Sequence, residues 1–156
     1  MNRPYGVSMR PILIVIAVLA VLAALIAPAW RNRAISNHLG EALSAADAAK
    51  LVVMEAAIIK GSPSNIKASE LSYNADSVAN PYLKTVEIAD GGRITVTTHD
   101  TGASPDPVLL LTPIETQANK SSTINWVCTV IAGSSDLAPA PCRTAPSDLP
   151  THASSV

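Results

Sequence analysis

The sequence predicts an α+β fold in which a long N-terminal helix, residues 12–60 and kinked at Pro28, packs on a C-terminal antiparallel β-sheet with a disulfide loop. Three observations carry that expectation. Ile12 to Ala27 is an unbroken run of 16 apolar residues in a chain of 156. Beyond it, apolar residues recur at helical spacing as far as Lys60. From Lys84 onward short β-branched stretches separated by turn residues take over, and the chain's two cysteines, Cys128 and Cys142, lie near the end.

Composition narrows the function. The apolar share is 48%, and its excess is concentrated in the Ile12–Ala27 block, which describes a membrane-directed segment joined to a water-soluble domain. Only 15% of residues are charged and the net charge is −1, so no basic stripe for nucleic acid is present. Two Trp, three Tyr and no Phe leave nothing from which to build a base-stacking platform.

Each element follows from its residues. Pro11 suits the first turn of a helix, where the missing N–H is not needed. The apolar block is short for a straight span, and Ala29 and Trp30 extend it toward an interface anchor. Pro28 removes one backbone donor and is expected to kink or locally unwind the helix near residues 24–28. Ile35, Leu39, Ala42, Ala46, Ala49, Val53, Ala56 and Lys60 recur at steps of three and four, one face of a continuing helix that stops at Gly61-Ser62-Pro63. Such a helix of about 49 residues measures roughly 73 Å at 1.5 Å per residue, more than a domain of this size covers. Its N-terminal half therefore needs another apolar environment.

Ser62 to Tyr82 reads as a connecting loop with a short helical turn around Ala68 to Leu71. Lys84–Ala89 and Arg93–His99 read as strands joined by an Asp90-Gly91-Gly92 turn, and Val108–Leu111 and Ile124–Ile131 as two further strands. The polar stretch Thr112–Thr123 reads as a long loop, and everything from Ala138 as loop followed by disorder.

Cys128 and Cys142 show no metal-ligand spacing and read as a structural disulfide formed in an oxidising compartment. Arginines flank the apolar block on both sides, Arg3 and Arg10 before it and Arg31 and Arg33 after it. The disulfide therefore orients the chain, with its N-terminus cytoplasmic and its C-terminal domain outside. His38, His99 and His152 are scattered and read as solvated surface residues, and Gly91-Gly92-Arg93 as a turn rather than an anion site. Asn119-Lys120-Ser121 has the form of a glycosylation sequon, a three-residue match that arises by chance. Ser154 and Ser155 are possible glycan carriers in a tail read as disordered. No catalytic set, phosphate loop or cofactor motif is placed to work, so the expectation is a non-enzyme with no cofactor or metal.

In this layout Gly6-Val7 precedes the apolar run, and Pro28-Ala29-Trp30 follows about 22 residues later. The segments Ile12–Ala17 and Leu22–Ala24, then Val86–Gly91, Leu109–Pro113, Asn125–Thr129 and Pro141–Arg143 appear in order. On these residues the chain resembles the type IV pilins over most of its length. The resemblance implies a leader of residues 1–6 removed between Gly6 and Val7, a membrane and filament-core helix over 7–30 and an amphipathic half over 31–61. It further implies a connecting loop over 62–83, a sheet and disulfide loop over 84–143 and a flexible tail over 144–156. The implied function is a structural pilus subunit held in the bacterial inner membrane before assembly and displayed at the cell surface afterwards. The implied partners are other pilin subunits, a prepilin peptidase and the inner-membrane assembly machinery.

Pro11 departs from the family, which places at that position a Glu that neutralises a neighbour's terminal amine. Its loss points to a minor or tip subunit, or a pseudopilin of a secretion system, as the alternative within the family. Val7 stands where the family's usual first mature residue is Phe. From another class, Ala27-Pro28-Ala29 has the form of a signal-peptidase site, which would release a soluble periplasmic domain starting at Trp30. A simple single-pass anchored domain is the remaining reading.

Overall fold

The computed structural model describes residues 9–74, 80–118 and 121–143. The element order is α1 (Met9–Ala45), α2 (Asp47–Lys60), β1 (Leu83–Ile88), β2 (Ile94–Thr98), β3 (Val108–Ala118) and β4 (Ser121–Ala132), with several single 3-10 turns between. The chain divides into two compact units between Ala34 and Ile35. Through Ala34 the described chain is helix alone, and the second unit holds everything else.

Helix α1 is regular from Met9, the first described residue, and its helical backbone runs through Pro28. Of the kink or local unwinding expected near residues 24–28, the unwinding is absent, since these residues stay helical. The interruption falls instead at Ala46, whose N–H bonds to the Leu43 carbonyl at 3.0 Å, three residues back. Nothing in the residue type explains a break at alanine. Helix α2 ends at Gly61 in the left-handed region (φ 79°), the conformation that glycine adopts without a Cβ penalty.

The sheet is a four-stranded antiparallel meander in the order β1-β2-β3-β4. β2 alternates strictly, with Ile94, Val96 and Thr98 buried and Thr95 and Thr97 facing outward. Val86, Leu109, Leu111 and Cys128 join Ile94 and Val96 on the inner face, where Ala46, Ala49, Val53 and Ala57 of the helix meet them. Ile35, Leu39 and Ala42 are buried further up α1. The helical face is therefore the one its spacing predicts as far as Val53. Its next member is Ala57 rather than Ala56, and Lys60 lies on the surface, 2.6 Å from Glu70.

The polar stretch 112–123 is not a loop: β3 and β4 remain paired from Val108↔Ala132 to Ala118↔Ser121. β2 ends opposite Leu111, so beyond it β3 pairs only with β4, and Pro113 sits where a missing donor is tolerated. With little core beneath it this ribbon needs no apolar alternation, which is why its sequence looks like loop. Residues 138–143, expected as loop, hold one 3-10 turn (Ala140–Cys142), and Ala138 and Cys142 are both buried.

Connectors are fastened by named hydrogen bonds. The β1–β2 turn hooks onto the loop after α2: Gly91 N–H donates to the Ile66 carbonyl, and the Ala68 N–H donates to Asp90. Gly92, at φ 70°, lies so close to α2 that a Cβ would come within 2.6 Å of Val53 Cγ1. The 99–107 loop closes on Asp106, whose carboxylate accepts from the Thr101 hydroxyl at 2.5 Å and from the Thr101 and Asp100 N–H groups. His38, expected on the solvated surface, is part-buried. It donates from Nδ1 to the Thr101 carbonyl at 2.9 Å and stacks on Tyr82 at 4.0 Å between ring centroids.

Three outcomes are expected. Gly92→Ala combines left-handed strain with a clash on Val53 and is expected to destabilise the domain by about 2–4 kcal/mol in denaturant titration. The bonds to Asp106, led by the Thr101 hydroxyl, lower its pKa. Their contribution is complete above the unfolded value of about 3.9 and is lost as pH falls through the lower folded one. Asp106→Asn is thus expected to weaken the domain at pH 7 and to flatten the loss of stability below about pH 4. Cys128→Ser opens a loop of about 15 residues and is expected to cost roughly 3 kcal/mol, with the same shift when the natural chain is reduced; superposed melting curves would contradict this.

Candidate assembly surface

The first unit exposes what a soluble protein normally hides. Along α1, Ile12, Leu13, Ile14, Val15, Ile16, Val18, Leu19, Val21, Leu22, Leu25 and Ile26 are all exposed, and Trp30 is 76% exposed. By length and composition the Met9–Lys60 segment holds a stretch able to cross a membrane, the one such stretch among the described residues. A continuous apolar surface of this kind marks a lipid or protein contact. Pro11 lies near the start of this helix and Pro28 within it. Gly6 and Val7 lie outside the described residues, as do Asn119, Lys120, His152, Ser154, Ser155 and the rest of the 144–156 tail.

In the second unit Cys128 of β4 and Cys142 of the last 3-10 turn form a disulfide, with Cα atoms 4.5 Å apart. Both are buried, so the bond ties the final segment to the inner face of the sheet. Arg143 Nε donates to the Ala138 carbonyl at 2.7 Å and closes the same loop. Gly133 makes the exit from β4 possible: at φ 86°, a Cβ there would meet Pro107 Cα at 2.8 Å.

A second surface escaped the sequence reading. α2 turns Leu51 (66%), Ile58 (80%) and Ile59 (75%) outward, with Met54 at the edge of exposure. Next to them a groove of about 410 Å³ opens between α2 and the Ala68–Glu70 turn, with Val52, Ala56, Ile59 and Leu71 among its walls. The signal was present in the sequence. Leu51–Met54 and Ala56–Ile59 are apolar all round the helix, and one face against a sheet accounts for only part of that.

These surfaces offer apolar contact and little chemistry. Among the described residues no group of three His, Cys, Asp or Glu is placed to hold a metal ion. His99 pairs with its neighbour Asp100 at 3.0 Å, and Ser62 donates to Glu115 at 2.9 Å. Of the residues that the sequence singles out, Cys128 and Cys142 are joined in a disulfide, and Pro11 and Pro28 lie on helix α1.

The comparison with known families agrees with this division. The model of a family described as pilin, a bacterial filament protein, matches residues 38–143. The match runs from His38, three residues into the second unit, through the helix, the meander and the disulfide loop to Arg143. Its members are structural filament subunits rather than enzymes, and they assemble with other pilin subunits. A buried alanine-rich helix face, a four-stranded antiparallel meander, the Cys128–Cys142 clasp and this match over most of the chain together show that the protein belongs to the pilin family.

Proposed function

We propose that the chain is a type IV pilin-like subunit that waits in the bacterial inner membrane, N-terminus cytoplasmic, and then passes into a filament. The observation that carries the reading is the exposed apolar surface from Ile12 to Trp30 on a chain of pilin fold. A prepilin peptidase removes residues 1–6, and the assembly machinery draws the helix out of lipid. Side chains of neighbouring subunits then replace the lipid tails. One apolar environment is exchanged for another, so the driving force between helices comes from close packing rather than from the hydrophobic effect. The globular sheet, clasped by Cys128–Cys142, forms the filament surface.

A specific residue favours a second reading within the family. Pro11 occupies the position of the assembly Glu, and a subunit with no such carboxylate fits a minor or tip place, where no neighbour above has to be neutralised. Mass spectrometry of the mature chain tests the main proposal. A start at Val7 is expected; a start at Trp30 would overturn the proposal in favour of an exported soluble domain, and an intact Met1 would mark an unprocessed anchor.

A further inference from the structure

We propose that the groove beside Glu55 is the seat for Trp30 and Arg33 of a second copy of this chain, an inference that rests on the filament reading above. Glu55 is a charged residue set among apolar ones: Leu51 stands four residues before it, Ile58 and Ile59 three and four after, and all four side chains are on the exposed part of α2. Lys60 and Glu70, which also line the groove, are paired with each other at 2.6 Å. Glu55 has no ion pair among the described residues. Covering this patch with an apolar partner alone would strand an unpaired carboxylate in a dry interface, which is strongly unfavourable. The partner must therefore bring a cation together with its apolar surface.

Arg33 and Trp30 are that combination. They are three residues apart and share a face of α1. Trp30 is 76% exposed, and Arg33 is exposed with no ion pair among the described residues. Four other described cations fit less well. Lys50 is held by Asp47, Lys60 by Glu70 and Lys67 by Asp90, and Arg10 has no aromatic residue within one helical turn. When a neighbouring helix lies parallel, Arg33 opposite Glu55 brings Trp30 level with Val52, a wall of the groove. The groove's volume, about 410 Å³, is in the range of sites that enclose a compact organic group, of which an indole is one. Tryptophan and arginine are also the side chains that most often dominate interface energies.

The two surfaces are different patches of the same chain. With the helices parallel, the contact shifts each copy along the axis in one sense, so it repeats head to tail, and where the rotation does not close into a ring it builds an open filament. That is the symmetry a filament requires, and it is the reason the occupant is a copy of this chain.

The test is charge exchange in the full-length protein in its own cell, scored as chain recovered in sheared filaments. Glu55→Arg and Arg33→Glu are each expected to lower that amount at least tenfold, and the two together to restore it to within about threefold of the natural chain. Trp30→Ala is expected to lower it at least tenfold with the membrane-held pool unchanged, which separates a filament contact from a lipid-interface anchor. A chain carrying Arg33→Cys and Glu55→Cys is expected to give a ladder of oligomers on mild oxidation, whether or not the charge variants fold. Single charge variants that assemble like the natural chain, or a cysteine pair that gives no ladder within intact filaments, overturn the docking and leave the filament reading standing. Absence of the natural chain from any filament overturns both.

Discussion

The close approach between the helix and the sheet is the contact on which the rest of the second unit depends. It is set by side-chain size. Ala46, Ala49 and Ala57 are buried there and carry one methyl each, while Val53 supplies the bulk between them. Small residues bring the backbones together, and the sheet answers with β-branched and leucine side chains, Val86, Ile94, Val96, Leu109 and Leu111. Each of these larger side chains contributes about 1.5–3 kcal/mol when fully buried. A core with so few aromatic residues has only this route to density. The same closeness explains Gly92, since a helix farther from the β1–β2 turn would leave room for a side chain there.

Closure at the two ends of the sheet follows from that packing. At the β1–β2 end, the Asp90–Gly92 turn is tied to the loop after α2 through Ile66 and Ala68, so the strand connection and the helix exit hold each other. At the β4 end, the disulfide brings Cys142 and Ala138 under the sheet, covering an inner face that helix α2 does not complete. Ala138 has no bulk to anchor a segment by itself. The covalent bond does what a large apolar residue would do in a chain richer in aromatics.

Much of this was legible in the sequence, and what was not failed for identifiable reasons. The helix face from Ile35 to Val53, the Asp90-Gly91-Gly92 turn, β1 and β2 and the cysteine pair all follow local rules of periodicity or turn chemistry. The β3–β4 ribbon did not, because strand pairing beyond Leu111 depends on the partner strand rather than on an apolar pattern, and Thr112–Thr123 shows none. Ala138–Arg143 looked like loop because its burial is imposed by a bond to Cys128, distant in sequence. The outward patch on α2 was missed for the opposite reason. Once a sheet-facing stripe accounted for the helix, Leu51, Ile58 and Ile59 were left over, and apolar residues without a job inside one chain are the mark of a job between chains.

The distribution of charge along the helix constrains the proposed passage from membrane to filament. Moving Ile12–Ala27 from lipid tails to protein side chains changes little in hydration, because neither environment is wet. What changes is the surroundings of the groups that bound the block, Arg10 on one side and Arg31 and Arg33 on the other. In a bilayer such side chains reach the headgroup layer by extending along their own length. Inside a filament there is no such layer, so each buried cation needs a carboxylate supplied by a neighbour. Pro11 leaves the front of the helix without the family's acidic partner, and the balance of charge then falls on residues beyond the apolar block. In the docking proposed above, Glu55, set among leucine and isoleucine on the exposed part of α2, supplies a carboxylate for that purpose.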